Sequence, residues 1–209
     1  MKKAAFLILF ALFLLSAKVY CQAITIGPGV GIMFFEDEPV SYVSEVSGTD
    51  YFNYENEFFF GLKAKFHIPY TPLRIITEGY YGFLTDEFTN PGTTTRYKAT
   101  GSLLNIGAGT ELILIPGSIS PYISVDGFLS SFGVVEVKRL GDREIKEREV
   151  QGNARFGIGF GAGVEIFLLP NLDADLSFKY AINNLIGKEQ GETNINSFNL
   201  SLNLYYQIF

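Results

Sequence analysis

Eleven ionisable residues share a lattice of alternate positions in this chain: Lys63, Lys65, Arg74, Arg155 and Lys179 against Glu78, Glu111, Asp126, Glu165, Asp173 and Asp175. Each falls on the parity that also holds glycine or small polar residues. The other parity is rich in Phe, Leu and Ile. Five bases against six acids is close to balance, and such a set can do one of two things. It can form a network of ion pairs and hydrogen bonds that satisfies a narrow polar interior, because unpaired buried charge is costly. Or it can line an ion or proton path, which needs continuous water. Phe59, Tyr80, Phe128 and Phe132 fall on the same parity and fill space that such a path would use. The expectation is therefore a packed network.

Other candidate chemistry is thinner. His67 is the sole histidine and stands beside the Pro69 turn. A general base needs a nucleophile within hydrogen-bond reach, and no such pairing is legible around it. A zinc site would need further His or Cys. Gly157, Gly159, Gly161 and Gly163 are spaced by two, Ala162 spoils the G-x-G-x-x-G spacing, and no helix follows. The phosphate-cradling logic fails, and these glycines read as space for long side chains crossing a lumen. Between Glu36 and Asn56 lie Glu36, Asp37, Glu38, Glu45, Asp50 and Glu55 without a base. Their spacing matches no EF-hand. The plain reading is a solvated charged loop, and the sharper one is weak divalent-cation binding by hard oxygen ligands. No catalytic residue, cofactor site or metal site is expected.

What must position the charged residues is a set of strands with period-two alternation. The clearest stretch is Asn153 to Asn183. Before Pro170, Phe156, Ile158, Phe160, Ala162, Val164, Ile166 and Leu168 oppose Arg155, the four glycines and Glu165. After it, Leu172, Ala174, Leu176, Phe178, Tyr180 and Ile182 oppose Asp173, Asp175, Ser177, Lys179 and Asn183. Six more strands follow the same rule: Ile24 to Phe35, Glu57 to Ile68, Leu73 to Thr85, Ala99 to Ile115, Tyr122 to Val135 and Ser197 to Phe209. The fifth is ambiguous in its upper half, where a bulge is expected. The connections alternate long and short, and all three short ones contain proline. The four long ones are Glu36 to Asn56, Asp86 to Lys98, Glu136 to Gly152 and Leu185 to Asn196. The third carries five bases and five acids, and reads as a solvated extension of its hairpin or as a partner-binding surface. Apolar-outward and polar-inward alternation, with long loops at one end, is the signature of a membrane barrel. A soluble barrel would need apolar residues inside.

The N-terminus has a different pattern. Lys2 and Lys3 precede the fourteen residues Ala4 to Ala17, apolar but for Ser16. That is short for a spanning helix and laid out as a secretory signal. Cleavage after Cys21 is expected, giving a signal at 1–21 and a barrel domain at 22–209, with Ala23 as the fallback. A lipid anchor on Cys21 is disfavoured because Lys18 and Tyr20 stand where small and apolar residues belong. Removing Lys2, Lys3 and Lys18 and no acid moves the formal charge from −6 to −9. An acidic chain does not suit nucleic acid as a partner. Without Cys21 no thiol remains for a disulfide or a metal.

The chain resembles the OmpA/OmpX-like eight-stranded outer-membrane barrels over its whole mature length. The resemblance rests on the strand pattern, the loop alternation and the ending Tyr205-Tyr206-Gln207-Ile208-Phe209. It implies an all-β, eight-stranded antiparallel up-and-down transmembrane β-barrel in the outer membrane. It also implies lipid around the barrel and contact with the barrel-assembly machinery, which reads a C-terminal aromatic. Parity places Phe209 inward, whereas the family turns that residue to lipid. The expected role is structural or surface-interacting, non-enzymatic, with any ligand taken by the external loops. The alternative is a small channel or transporter.

Overall fold

Alternation that hides one face and leaves the other apolar can be satisfied without water only if the sheet closes on itself. The computed structural model describes residues 24–36, 40–41, 51–52, 57–89, 96–139, 145–150, 154–188 and 194–208. The leader, most acids of the first loop and Phe209 lie outside the described residues.

Twelve strands occur among the described residues, in chain order: β1 Ile24–Phe35, β2 Val40–Ser41, β3 Tyr51–Phe52, β4 Glu57–His67, β5 Leu73–Thr89 and β6 Arg96–Ile113. They continue with β7 Ile119–Phe132, β8 Val134–Arg139, β9 Ile145–Val150, β10 Ala154–Leu169, β11 Leu172–Ile186 and β12 Asn196–Gln207. Eight of them, β1, β4, β5, β6, β7, β10, β11 and β12, form a closed antiparallel ring. Each pairs with its neighbour in the chain order of the barrel, and β12 pairs back onto β1 through Val30↔Leu202 and Gly31↔Ser201. This is the expected eight-stranded antiparallel barrel.

The faces fall as the alternation requires. Leu202 is 51% exposed, and Asn203 beside it is 7% exposed. Ile26, Val30, Phe58, Phe60, Ile106, Val125, Phe160 and Phe178 all lie on the outer wall. The short turns are tight. At Leu169–Leu172, Pro170 supplies its fixed φ and Asn171 takes φ 71°, the positive value that the third position of a type II turn demands.

The long connections differ from expectation in one consistent way: they are more strongly paired. β5 and β6 stay in register out to Thr89↔Arg96, so most of the expected loop from Asp86 to Lys98 is a hairpin. The expected bulge in the fifth barrel strand is real. Gly133 separates β7 from β8 and donates its N–H to Ser102 O at 2.7 Å. Beyond it β8 pairs with β9 and also with β6, Thr100↔Glu136 to Tyr97↔Arg139. The charged third loop therefore continues the barrel wall as a projecting sheet. In the first loop, β2 and β3 form a two-residue ladder.

Candidate functional site

The inward charges resolve into two clusters at different heights in the lumen. Nearer the short turns, Lys65 of β4 is the hub. Its Nζ lies 2.6 Å from Glu165 Oε2, 2.6 Å from Asp175 Oδ2 and 3.6 Å from Glu111 Oε2. Arg74 bridges Glu165 at 2.7 Å and Glu111 at 2.8 Å, and Lys63 reaches Glu111 at 2.7 Å. The contacts to Glu111 are close charge contacts rather than aligned hydrogen bonds. Three bases thus meet three acids drawn from β4, β5, β6, β10 and β11. Lys65, Arg74, Glu111 and Asp175 are fully buried.

Two tyrosines complete this layer. Tyr122 donates its hydroxyl to Asp175 Oδ1 at 2.9 Å. Lys65 stands 4.2 Å from the Tyr205 ring centroid and 5.0 Å from that of Tyr122, within cation–π range. Arg74 faces the Tyr122 ring as well. An eight-stranded barrel is only wide enough for its side chains, and here they meet across it.

Higher up, Lys179 sits between Glu78 and Asp126, 3.1 Å from the latter and in direct contact with the former. The inward glycines act as space, as expected. A Cβ on Gly159 would lie 2.9 Å from Lys179 Cδ and from Asp126 Oδ1, and one on Gly157 would enter the Phe128 ring. Of the remaining expected members, Arg155 is buried nearer the loop end. There Gly187, at φ 90°, lets the backbone pass against it. Asp173 lies at the short-turn mouth, half-buried, and takes part in none of the ion pairs among the described residues. His67 ends β4 opposite Arg74, at the short-turn end.

The loop end is closed differently. Met33, Phe59, Tyr80, Leu84, Leu103 and Ile195 form one buried apolar cluster. Ile195 comes from the last long connection, and β11 holds it there. Asn183 donates its backbone N–H to Ile195 O at 2.7 Å, and its side chain donates to the same oxygen at 3.1 Å. Ile195 N–H donates to Asn184 Oδ1 at 2.7 Å. Phe59, Tyr80 and Phe128 fill the lumen as expected, whereas the Phe132 side chain lies outside the described residues. The contribution of Ile195 has no sequence signal, because it stands in a loop rather than on a strand parity.

Solved structures contain the same ring of strands. The chain's fold matches that of the outer membrane protein OprG from Pseudomonas aeruginosa, at 9% identity over 90% of this chain and 97% of that one, with a TM-score of 0.50. It also aligns with Ail, the attachment invasion locus protein of Yersinia pestis, at 14% identity over 89% of this chain and 97% of that one, with a TM-score of 0.47. The shared property is the fold. Neither family models nor curated proteins give a match. Function has to be argued from the site itself. Among the described residues, no three His, Cys, Asp or Glu side chains converge as a metal site would require. What the clusters do chemically is pair opposite charges across the lumen and tie six strands together.

Proposed function

We propose that this protein is a non-enzymatic outer-membrane barrel whose lumen is closed to solutes and whose interactions are made by its loop-side surface. Lipid surrounds the apolar wall, and the barrel-assembly machinery is its partner during insertion. One observation carries the reading: the lumen is blocked twice, by the Lys65 charge cluster below and by the apolar Ile195 cluster above. A path for ions would have to cross both. What such a barrel offers the outside is the surface beyond the membrane, and the β8–β9 hairpin is its most charged part.

Trypsin added to intact cells should cut within the hairpin, which carries Lys138, Arg139, Arg143, Lys146 and Arg148, and leave the barrel strands whole. A variant lacking 136–149 should still fold, since shortening a loop costs little when strand pairing below it is kept. Cleavage that occurs only after the outer membrane is opened would put the hairpin on the wrong side and overturn the reading.

A further inference from the structure

The apolar wall has a height that can be compared strand by strand. On β12 the outward apolar residues run from Phe198 to Ile208. At about 3.3 Å per residue and a tilt of about 40°, that is a height of about 25 Å, which is the apolar band of such barrels. β7 has the same span, Ile119 to Leu129, and pairs with Ile166 to Phe156 of β10 residue for residue. β10 does not stop at Ile166. Leu168 and Leu169 follow, 48% and 58% exposed, and carry the apolar surface about 8 Å further toward the short turns. Beside them the β6–β7 turn presents Leu114, Ile115 and Ile119, each more than half exposed.

Neither turn carries a charge. Residues 112–121, LILIPGSISP, and 166–172, IFLLPNL, contain no ionisable side chain. Their backbone polar groups are taken up within the protein. Leu114 N–H donates to Pro121 O at 2.8 Å, and Phe167 N–H donates to Ser118 O at 2.9 Å, which ties the turn to β10. Ser120 Oγ accepts from Gly117 N–H at 3.1 Å and donates to Gly117 O at 2.9 Å. Pro116 and Pro121 have no N–H to satisfy. Backbone enters lipid only when its polar groups are satisfied internally, and these contacts serve that end.

A contiguous exposed apolar patch marks an interaction surface. Continuity identifies what covers this one. Leu169 pairs with Leu172 and Leu172 with Tyr206, all on the outer side, so the patch joins the lipid-facing wall without a polar break. The half-buried Asp173 lies on the lumen side of the same rim, so the mouth stays with water.

We infer that the β6–β7 turn and the end of β10 are sunk in the leaflet on the short-turn side, with phospholipid acyl chains covering Leu114, Ile115, Ile119, Leu168 and Leu169. Lipid contact is then uneven around the barrel and reaches lower at β10 than at β7. A longer apolar stretch is met by local thickening of the bilayer or by tilt. The inference rests on the outer-membrane reading, and the test separates the two.

The chain has no tryptophan, so Leu169→Trp, Ile115→Trp, Leu202→Trp and Lys188→Trp each carry a single reporter. Each full-length variant is placed in phosphatidylcholine nanodiscs with or without bromine on the acyl chains, checked by its unboiled gel band, and titrated with iodide. Leu202 on the outer wall sets the lipid response, and the exposed Lys188 sets the aqueous one. Leu169→Trp and Ile115→Trp should lose emission to bromine as Leu202→Trp does, and should resist iodide. Quenching of both by iodide and not by bromine would overturn the inference and leave the barrel wall in lipid. Resistance of both to either quencher would also overturn it, because protein and not lipid would then cover the patch. Absence of bromine quenching at Leu202→Trp would instead bring down the membrane reading itself.

Discussion

Replacing Lys65 by methionine should cost about 3–5 kcal/mol of barrel stability, the range seen when one partner of a buried ion pair is removed. Lys65 lies between the Glu165 and Asp175 carboxylates, with Nζ 2.6 Å from each. Methionine keeps most of the stem volume, so the loss reports charge rather than a cavity. Glu165 and Asp175 would then face each other, with Glu165 still paired to Arg74 but Asp175 left with the Tyr122 hydroxyl and no base. The double variant Lys65→Met, Asp175→Asn should recover a substantial part of the loss, because it removes the stranded acid along with the base. The chain has no tryptophan, so urea unfolding in lipid vesicles is best followed by the fraction of unboiled, fast-migrating band. A change under about 1 kcal/mol, the size expected of exposed pairs, would show that the cluster does not hold the barrel together.

Leu202→Arg should have the second-largest effect, about 2–4 kcal/mol if it lies near the bilayer midplane. Leu202 is on the outer wall of β12, between Val30 of β1 and Leu176 of β11. A guanidinium there has no polar partner within the apolar belt. The lumen-side control has to be chosen with care. Asn203→Asp would place a new acid directly across from Asp175, so it would suffer like-charge repulsion in addition to any change of face. Asn203→Ser is the cleaner comparison and should cost less than Leu202→Arg. Both are measured by the same unfolding experiment. Greater damage from Asn203→Ser than from Leu202→Arg would mean that the two faces are exchanged.

The parts of the molecule that the sequence discloses are those governed by parity. β1 was bounded correctly at Ile24 and Phe35 because each residue there either meets the lumen or the outer wall. The same rule identified Lys63, Arg74, Glu111 and Lys179 as inward residues. It could not say which acid meets which base. Lys65 and its partners Glu165 and Asp175 are 100 and 110 residues apart, and their meeting depends on strand stagger, which no local pattern encodes. Loop ends were underestimated for a related reason. Along β9 the run Lys146-Glu147-Arg148-Glu149 has no apolar parity to read, although its backbone pairs with β8. Ile195 and its anchors Asn183 and Asn184 form a third class. Both asparagines are buried although they are consecutive, which breaks the period-two rule beside the register shift between β10 and β11.

The closed lumen is tested most directly by current. Planar-bilayer recordings of the full chain should show no steady ion conductance, because the Lys65 cluster and the Ile195 cluster each interrupt the path. A reproducible open conductance that changes with Lys63→Gln or Glu111→Gln would contradict the account, since current responding to those residues must pass through the charged layer.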